Sequence, residues 1–247
     1  MKPKVIVLSG YGLNCEDETK YAFDLAGGEG KIVHINDLIK NKNQLVDYQI
    51  MAIPGGFAYG DDTGSGNAYG LKLRNHLWEN ILKFVKKDKL VIGICNGFQI
   101  LVRLGLLGQV ALLPNDSNRY TTGWFDLKII SDTLWLSGIT EIFLPIAHGE
   151  GKFFASSAIL KQLNKKNLVA AKYIINPTGT QENIAAITDE SKRILGLMPH
   201  PERAMFFTQL PDWPYLKEKY LRQGKRLPRF GPGLKIFQNG VKYFQNL

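Results

Sequence analysis

Leu90-Val91-Ile92-Gly93-Ile94-Cys95-Asn96-Gly97-Phe98-Gln99-Ile100-Leu101 changes its periodicity halfway along, and that change predicts the fold. Leu90 to Ile94 is a short apolar run with β-branched residues, the pattern of a central strand covered on both faces. From Phe98 the apolar positions recur at Phe98, Leu101, Val102 and Leu106, which is helical spacing. Between the two lies Gly93-Ile94-Cys95-Asn96-Gly97, with a glycine two residues to either side of the cysteine. A strand that turns this sharply into a helix brings backbones too close for a Cβ, so the glycines answer a steric demand. The turn lifts Cys95 above the sheet in strained backbone. It also places the thiol at a helix N-terminus, where free N–H groups and the macrodipole favour a thiolate. A structural cysteine buried in a strand–helix unit is the other reading, and the paired glycines favour the nucleophile.

Outward from this stretch the chain alternates strands and helices. Val5–Ser9, Lys31–Ile35 and Ile50–Ile53 are predicted strands, and Glu16–Leu25 is a predicted helix with Asn14 as its cap. A long helix precedes the elbow strand, with Leu73, Leu77, Ile81 and Phe84-Val85 along one face. Later strands are predicted at 110–113, 125–130, 142–146, 168–171, 184–187 and 194–198, with Asn115–Thr122 as a polar connection. A helix over 233–244 closes the chain. This order predicts an α/β fold, a mostly parallel central sheet with flanking helices and right-handed crossovers. At 247 residues one domain over 1–247 accommodates it.

Composition narrows the function classes. A hydrophobic content of 45% and a charged content of 21% are those of a soluble globular chain. Two cysteines, Cys15 and Cys95, do not make a disulfide framework, and a reducing, cytoplasmic setting is expected. The apolar run after Met1-Lys2-Pro3-Lys4 is too short for a signal peptide, and no window is long and apolar enough for a membrane span. The net charge of +9 raises nucleic acid as a partner. However, six basic residues against two acidic ones fall between Asp212 and Arg229, and no helix–turn–helix, RNP-type or zinc-finger pattern accompanies them. Residues 208–230 are predicted to be an insertion or docking loop, broken up by prolines.

Three further islands carry chemistry. Pro54-Gly55-Gly56-Phe57-Ala58-Tyr59-Gly60-Asp61 opens a glycine-rich loop too long for a connector. Gly64-Ser65-Gly66 does not extend to a dinucleotide fingerprint, because Tyr69 stands where a glycine is needed. Gly55-Gly56 can instead present backbone N–H groups to a developing oxyanion. Glycines at 55, 56, 60, 64 and 66 predict a mobile loop that a partner would order. Ala147-His148-Gly149-Glu150-Gly151 is a glycine-flanked polar island at a strand end. One histidine with no second histidine or thiolate beside it in sequence is a poor zinc site, and a substrate-contact loop or a solvated turn are the two readings. Pro199-His200-Pro201-Glu202-Arg203 ends the last core strand. In extended backbone His200 and Glu202 share a face, which puts a carboxylate beside an imidazole as a triad requires.

These four motifs, in this order, resemble the class I (triad) glutamine amidotransferases. Within that family they are most similar to the glutaminase subunits of the purine-biosynthetic step that makes formylglycinamidine ribonucleotide. Asn14-Cys15 after the first strand adds to the likeness, which covers most of residues 4–206 and the closing helix. The resemblance implies the flavodoxin-like architecture of that family. It implies a triad of Cys95, His200 and Glu202, with an oxyanion hole from the Gly56 and Asn96 N–H groups. Gln99 with His148, Gly149 and Glu150 would hold glutamine. The implied activity is hydrolysis of glutamine to glutamate and ammonia through a cysteine thioester. Ammonia would pass to an ATP-dependent phosphoribosylformylglycinamidine synthetase subunit, with or without a small third subunit. No cofactor or metal is expected on this chain; ATP and Mg belong to the partner. Residues 62–70 and 208–230 are longer than in compact members. Two alternatives are a non-catalytic regulatory subunit on the same fold and a cysteine amidohydrolase acting on another amide.

Overall fold

The computed structural model describes residues 2–245; both ends of the expected 1–247 domain lie outside them. The chain begins with β1 (Lys4–Ser9), α1 (Glu16–Leu25), β2 (Glu29–His34), α2 (Ile35–Lys40) and β3 (Ile50–Ile53). The long helix α3 (Asn67–Lys86) leads into β4 (Leu90–Ile94) and α4 (Asn96–Leu104). Then come β5 (Ala111–Leu113), β6 (Thr121–Ile129), β7 (Glu141–His148), β8 (Lys152–Phe154), α5 (Ser157–Lys165) and β9 (Val169–Tyr173). β10 (Ile184–Thr188), β11 (Ile194–Leu197), α6 (Trp213–Arg222) and α7 (Leu234–Gln245) complete it.

Nine strands form one sheet in the order β2-β1-β3-β4-β11-β10-β9-β6-β7. From β2 to β11 every neighbouring pair is parallel. The remaining pairs, β11 to β7, are antiparallel. The expected α/β class is present, and its parallel part is the half that carries the elbow. β5 and β8 make a separate two-stranded ribbon.

The parallel half is apolar because both of its faces are covered. Ile50 to Ile53 and Leu90 to Ile94 are buried throughout, as strands sandwiched between helices must be. α3 covers one face with Tyr69, Leu73, Leu77, Ile81 and Phe84 buried, the helical spacing that its sequence shows. Phe23 of α1 and Phe237 of α7 meet edge-to-face with centroids 5.0 Å apart, and Trp135 packs on the same ring at 6.4 Å.

Four local expectations change. β6 starts at Thr121, inside the predicted polar connection, because all eight of its residues from Thr121 to Lys128 find partners on β7. β2 stops at His34, whose ring accepts the Asn36 N–H and caps α2. α1 is capped at Cys15 without a side-chain bond, so Asn14 is not its cap, and Glu16, Asp17 and Glu18 in the first turn serve the dipole instead. Residues 208–230 are not a loop throughout, since α6 lies within them. Pro214 sits in its first turn, where proline starts a helix and does not break it.

Candidate active site

β4 and β11 are parallel neighbours with Ile94 opposite Leu197, so Cys95 and His200 leave the sheet at the same edge. The loops after β1 and β3 emerge beside them, at the carboxyl ends of the parallel strands where open α/β sheets place their sites. The Cys95 backbone is at φ +51°, ψ −106°, a strained conformation for a residue with a side chain. Its N–H donates to Leu197 O at 2.8 Å, and its Sγ lies 3.6 Å from the Ala147 carbonyl oxygen. A Cβ on Gly97 would sit 1.9 Å from Ile53 O, so the elbow admits only glycine there.

His200 Nδ1 and Glu202 Oε1 are 2.5 Å apart, and the two side chains are 2% and 0% exposed. The extended backbone expected between them is absent. Pro201 to Arg203 form a single 3₁₀ turn, and the pair closes across it. Burial by itself would lower the His200 pKa, but the Glu202 carboxylate, with Cys95 and Cys15, outweighs it and holds the value well above the usual histidine range. The imidazolium is therefore the favoured state beside Cys95.

The 54–66 loop is fastened along its length. Asn14 and Cys15 N–H both donate to Gly55 O, Phe57 N–H to Gly12 O, and Tyr59 N–H to Tyr11 O. Ala58 N–H donates to Asn96 Oδ1 at 3.0 Å, and Ser65 N–H to Glu150 Oε2 at 3.1 Å. These bonds tie the loop to the segment after β1, to the elbow and to Glu150. Leu13 and Gly56 form an isolated antiparallel bridge whose flanking bonds come from Asn14 and Phe57. Among the described residues neither the Gly56 nor the Asn96 N–H has a backbone acceptor outside regular elements.

The residues expected to hold substrate divide. Gln99 is buried, and both ends of its amide are used. Its Oε1 accepts from Asn96 Nδ2 at 2.7 Å, and its Nε2 donates to Glu150 O at 2.6 Å. Gln99 thus ties the elbow to the 148–150 loop. His148 also points inward, with its ring so close over Gly151 that a Cβ there would lie 1.9 Å from Cε1. Burial, helped by His200, pushes its pKa down to about 3. A neutral ring of such low basicity is a poor general base, which separates it from His200. Gly149 and Glu150 lie at the surface of the same loop, half-buried.

Cys15 and Arg203, outside the expected set, lie beside the His200–Glu202 pair. Cys15 Sγ accepts from Arg203 Nη2 at 3.0 Å. Its Sγ, a His200 nitrogen and a Glu202 oxygen lie within 4.8 Å of one another. The place of Asn14-Cys15 just beyond β1 is the one sequence signal that points there. Phe57 and Tyr120, with centroids 5.7 Å apart, are exposed.

The arrangement suits acyl transfer through a thioester, and comparison with known proteins agrees. Residues 2–244 match the CobB/CobQ-like glutamine amidotransferase domain. The phosphoribosylformylglycinamidine synthase subunit PurQ of Methanococcus maripaludis strain S2 is 42% identical over 98% of this chain and 97% of its own length. The subunit of the same name from Dehalococcoides mccartyi is 43% identical over 98% of each chain. Among solved structures, PurLQS from Thermotoga maritima contains a chain 30% identical with a TM-score of 0.78, covering 99% of this chain and all of that one. Family, relatives and geometry agree: this chain belongs to the CobB/CobQ-like glutamine amidotransferases.

Proposed function

We propose that this chain is the glutaminase subunit of a phosphoribosylformylglycinamidine synthase, with Cys95, His200 and Glu202 as its triad. The observation that carries the reading is the buried 2.5 Å pair of His200 and Glu202, just beyond the strand that pairs with the one leading into the strained Cys95 elbow. The Cys95 thiolate attacks the side-chain amide carbon of glutamine, and the carbonyl oxygen takes up negative charge. The Gly56 and Asn96 N–H groups receive that charge; among the described residues neither has a backbone acceptor outside regular elements. The carbon–nitrogen bond breaks as the His200 imidazolium gives its proton to the leaving nitrogen, so ammonia departs and a thioester remains. Neutral His200 then takes a proton from water, hydroxide attacks the thioester, and glutamate leaves as the thiol is restored. Glu202 fixes the ring orientation and tautomer throughout. Gly149 and Glu150 contact glutamine, while Gln99 and the buried His148 position the wall behind it.

Ammonia goes to a synthetase subunit that uses ATP and Mg to make formylglycinamidine ribonucleotide, and a small third subunit completes the assembly. The chain has no Walker-type pattern of its own. The chain works as one amidotransferase unit in the cytoplasm, with 208–230 as an insertion facing the partner. Tyr215, Leu221, Leu227 and Phe230 are exposed there among its basic side chains. Among the described residues no helix is long and apolar enough to cross a membrane. The test is glutamate and ammonia release from glutamine by the purified chain, alone and with a synthetase subunit, ATP and acceptor. Turnover of glutamine, with ammonia incorporated only when the synthetase is present, is the expected result. Hydrolysis of other amides in preference to glutamine would overturn the reading.

A further inference from the structure

Cys15 and the outer oxygen of Glu202 are not used by the acyl-transfer chemistry. Glu202 spends Oε1 on His200 Nδ1, and among the described residues its Oε2 has no partner although the side chain is fully buried. His200 Nε2 likewise lacks a partner. A buried carboxylate oxygen without a donor is costly, and a cation is one group that satisfies it. Cys15 Sγ, an imidazole nitrogen and a carboxylate oxygen lie within 4.8 Å of one another. This is a mixed sulfur, nitrogen and oxygen set, with thiolate and carboxylate to neutralise a dication.

We infer that Cys15, His200 and Glu202 form an inhibitory binding site for a borderline-soft divalent cation, zinc in particular. Tetrahedral zinc takes nitrogen and oxygen ligands at about 2.0–2.2 Å and sulfur at about 2.3 Å, so its ligand atoms stand closer together than 4.8 Å. Small side-chain rotations close the difference, and a water takes the fourth position. The cation displaces the thiol proton of Cys15 and a ring proton of His200, and both protons leave to solvent, while Arg203 goes on donating to that sulfur. Zinc so held immobilises the imidazole that must move protons and halts thioester formation reversibly. Its route is the one glutamine takes to Cys95. Magnesium, which demands oxygen ligands in octahedral array, does not suit this set.

The test uses the full chain with Cys95→Ala, which removes the reactive thiol as a competing ligand, titrated calorimetrically with zinc chloride and with magnesium chloride. One zinc per chain and no magnesium binding is expected. Adding Cys15→Ala, or Cys15→Ser as a second variant, should weaken zinc binding by about tenfold or more. Cobalt(II) should give a thiolate-to-metal charge-transfer band in Cys95→Ala that is lost in both double variants, and thermal melts without metal check that each is folded. Absence of zinc binding by Cys95→Ala overturns the site, as does unchanged zinc affinity in the folded double variants.

Discussion

Gly97→Ala is the sharpest single perturbation of the elbow, because the added Cβ meets backbone and cannot turn away. It would lie 1.9 Å from Ile53 O and 2.6 Å from Ile53 C, where ordinary contact begins at 3.4 Å. The first turn of α4, or the end of β3, must therefore yield by about 1.5 Å in a close-packed interior. That turn carries Cys95 and the Asn96 N–H, and a misplacement of about 1 Å costs on the order of a hundredfold in rate. A hundredfold is about 2.7 kcal/mol of barrier, and overpacking destabilises the fold by about 1–3 kcal/mol. Gly105→Ala is the matched control. It ends the same helix at φ +80° with nothing within 4 Å of its Cβ, so it costs about 1–2 kcal/mol of backbone strain and leaves the elbow in place. The assay is kcat and KM for glutamate release, with thermal melts on the same samples. The expected outcome is a kcat drop of about a hundredfold for Gly97→Ala and little change for Gly105→Ala. A folded Gly97→Ala variant with nearly native kcat would refute the steric account of the elbow.

Cys95→Ala should abolish glutamine hydrolysis and the trapped thioester seen by mass spectrometry, and His200→Ala should cost more kcat than Glu202→Gln. If His148→Ala and not His200→Ala removed thioester formation, the triad would have to be redrawn. His148 also governs acid stability. Its folded pKa of about 3 lies below the unfolded value of about 6.5, so its contribution is complete above pH 6.5 and lost as pH falls. At about 1.36 kcal/mol per pH unit, wild type should lose about 2.7 kcal/mol more than His148→Phe between pH 6.5 and 4.5 in urea melts; parallel losses reject this. His200 runs the other way. Its raised pKa gives stability that is full below about 6.5 and lost as pH rises through the folded value. Histidine-labelled NMR should find it protonated above the ordinary range in wild type and shifted down in Glu202→Gln, and a wild-type titration at or below 6.5 would remove the ion-pair argument. Reversing charge at Lys225 and Arg226 should slow association with the synthetase in stopped-flow measurements more than it weakens the final complex; an unchanged rate at low salt would take 208–230 out of the docking surface.

What was legible in the sequence was set by local sterics. The glycines at 93 and 97 mark a turn that no other residue permits, and they identify Cys95 without knowledge of its neighbours. The prolines around His200 mark a chain that leaves the sheet, although they conceal the 3₁₀ turn that brings Glu202 to the ring. Pro214 misleads in the opposite sense, since the same residue that breaks a helix interior begins one at its first turn. Contacts between distant strands were not legible. Cys15 reaches His200 only because β1 and β11 lie on either side of the β3 and β4 strands, and no pattern near residue 15 reports that order.

The 54–66 loop carries the same distinction into function. Its glycines suggest mobility, and a mobile oxyanion donor would make the free subunit slow until a partner docked. The loop follows β3, and residues 10–15 follow β1, the strand hydrogen-bonded to it. Two chain segments leaving adjacent strands at one edge lie within reach of each other, and here they pair through Asn14, Cys15, Phe57 and Tyr59. Asn96 and Glu150 hold the rest. Gly55 is needed for a reason other than freedom, because a Cβ there would meet His200 Cε1 at 2.7 Å. Gly55 and Gly56 therefore serve close approach, and the bonds from Asn14 and Phe57 on either side of Gly56 fasten its backbone.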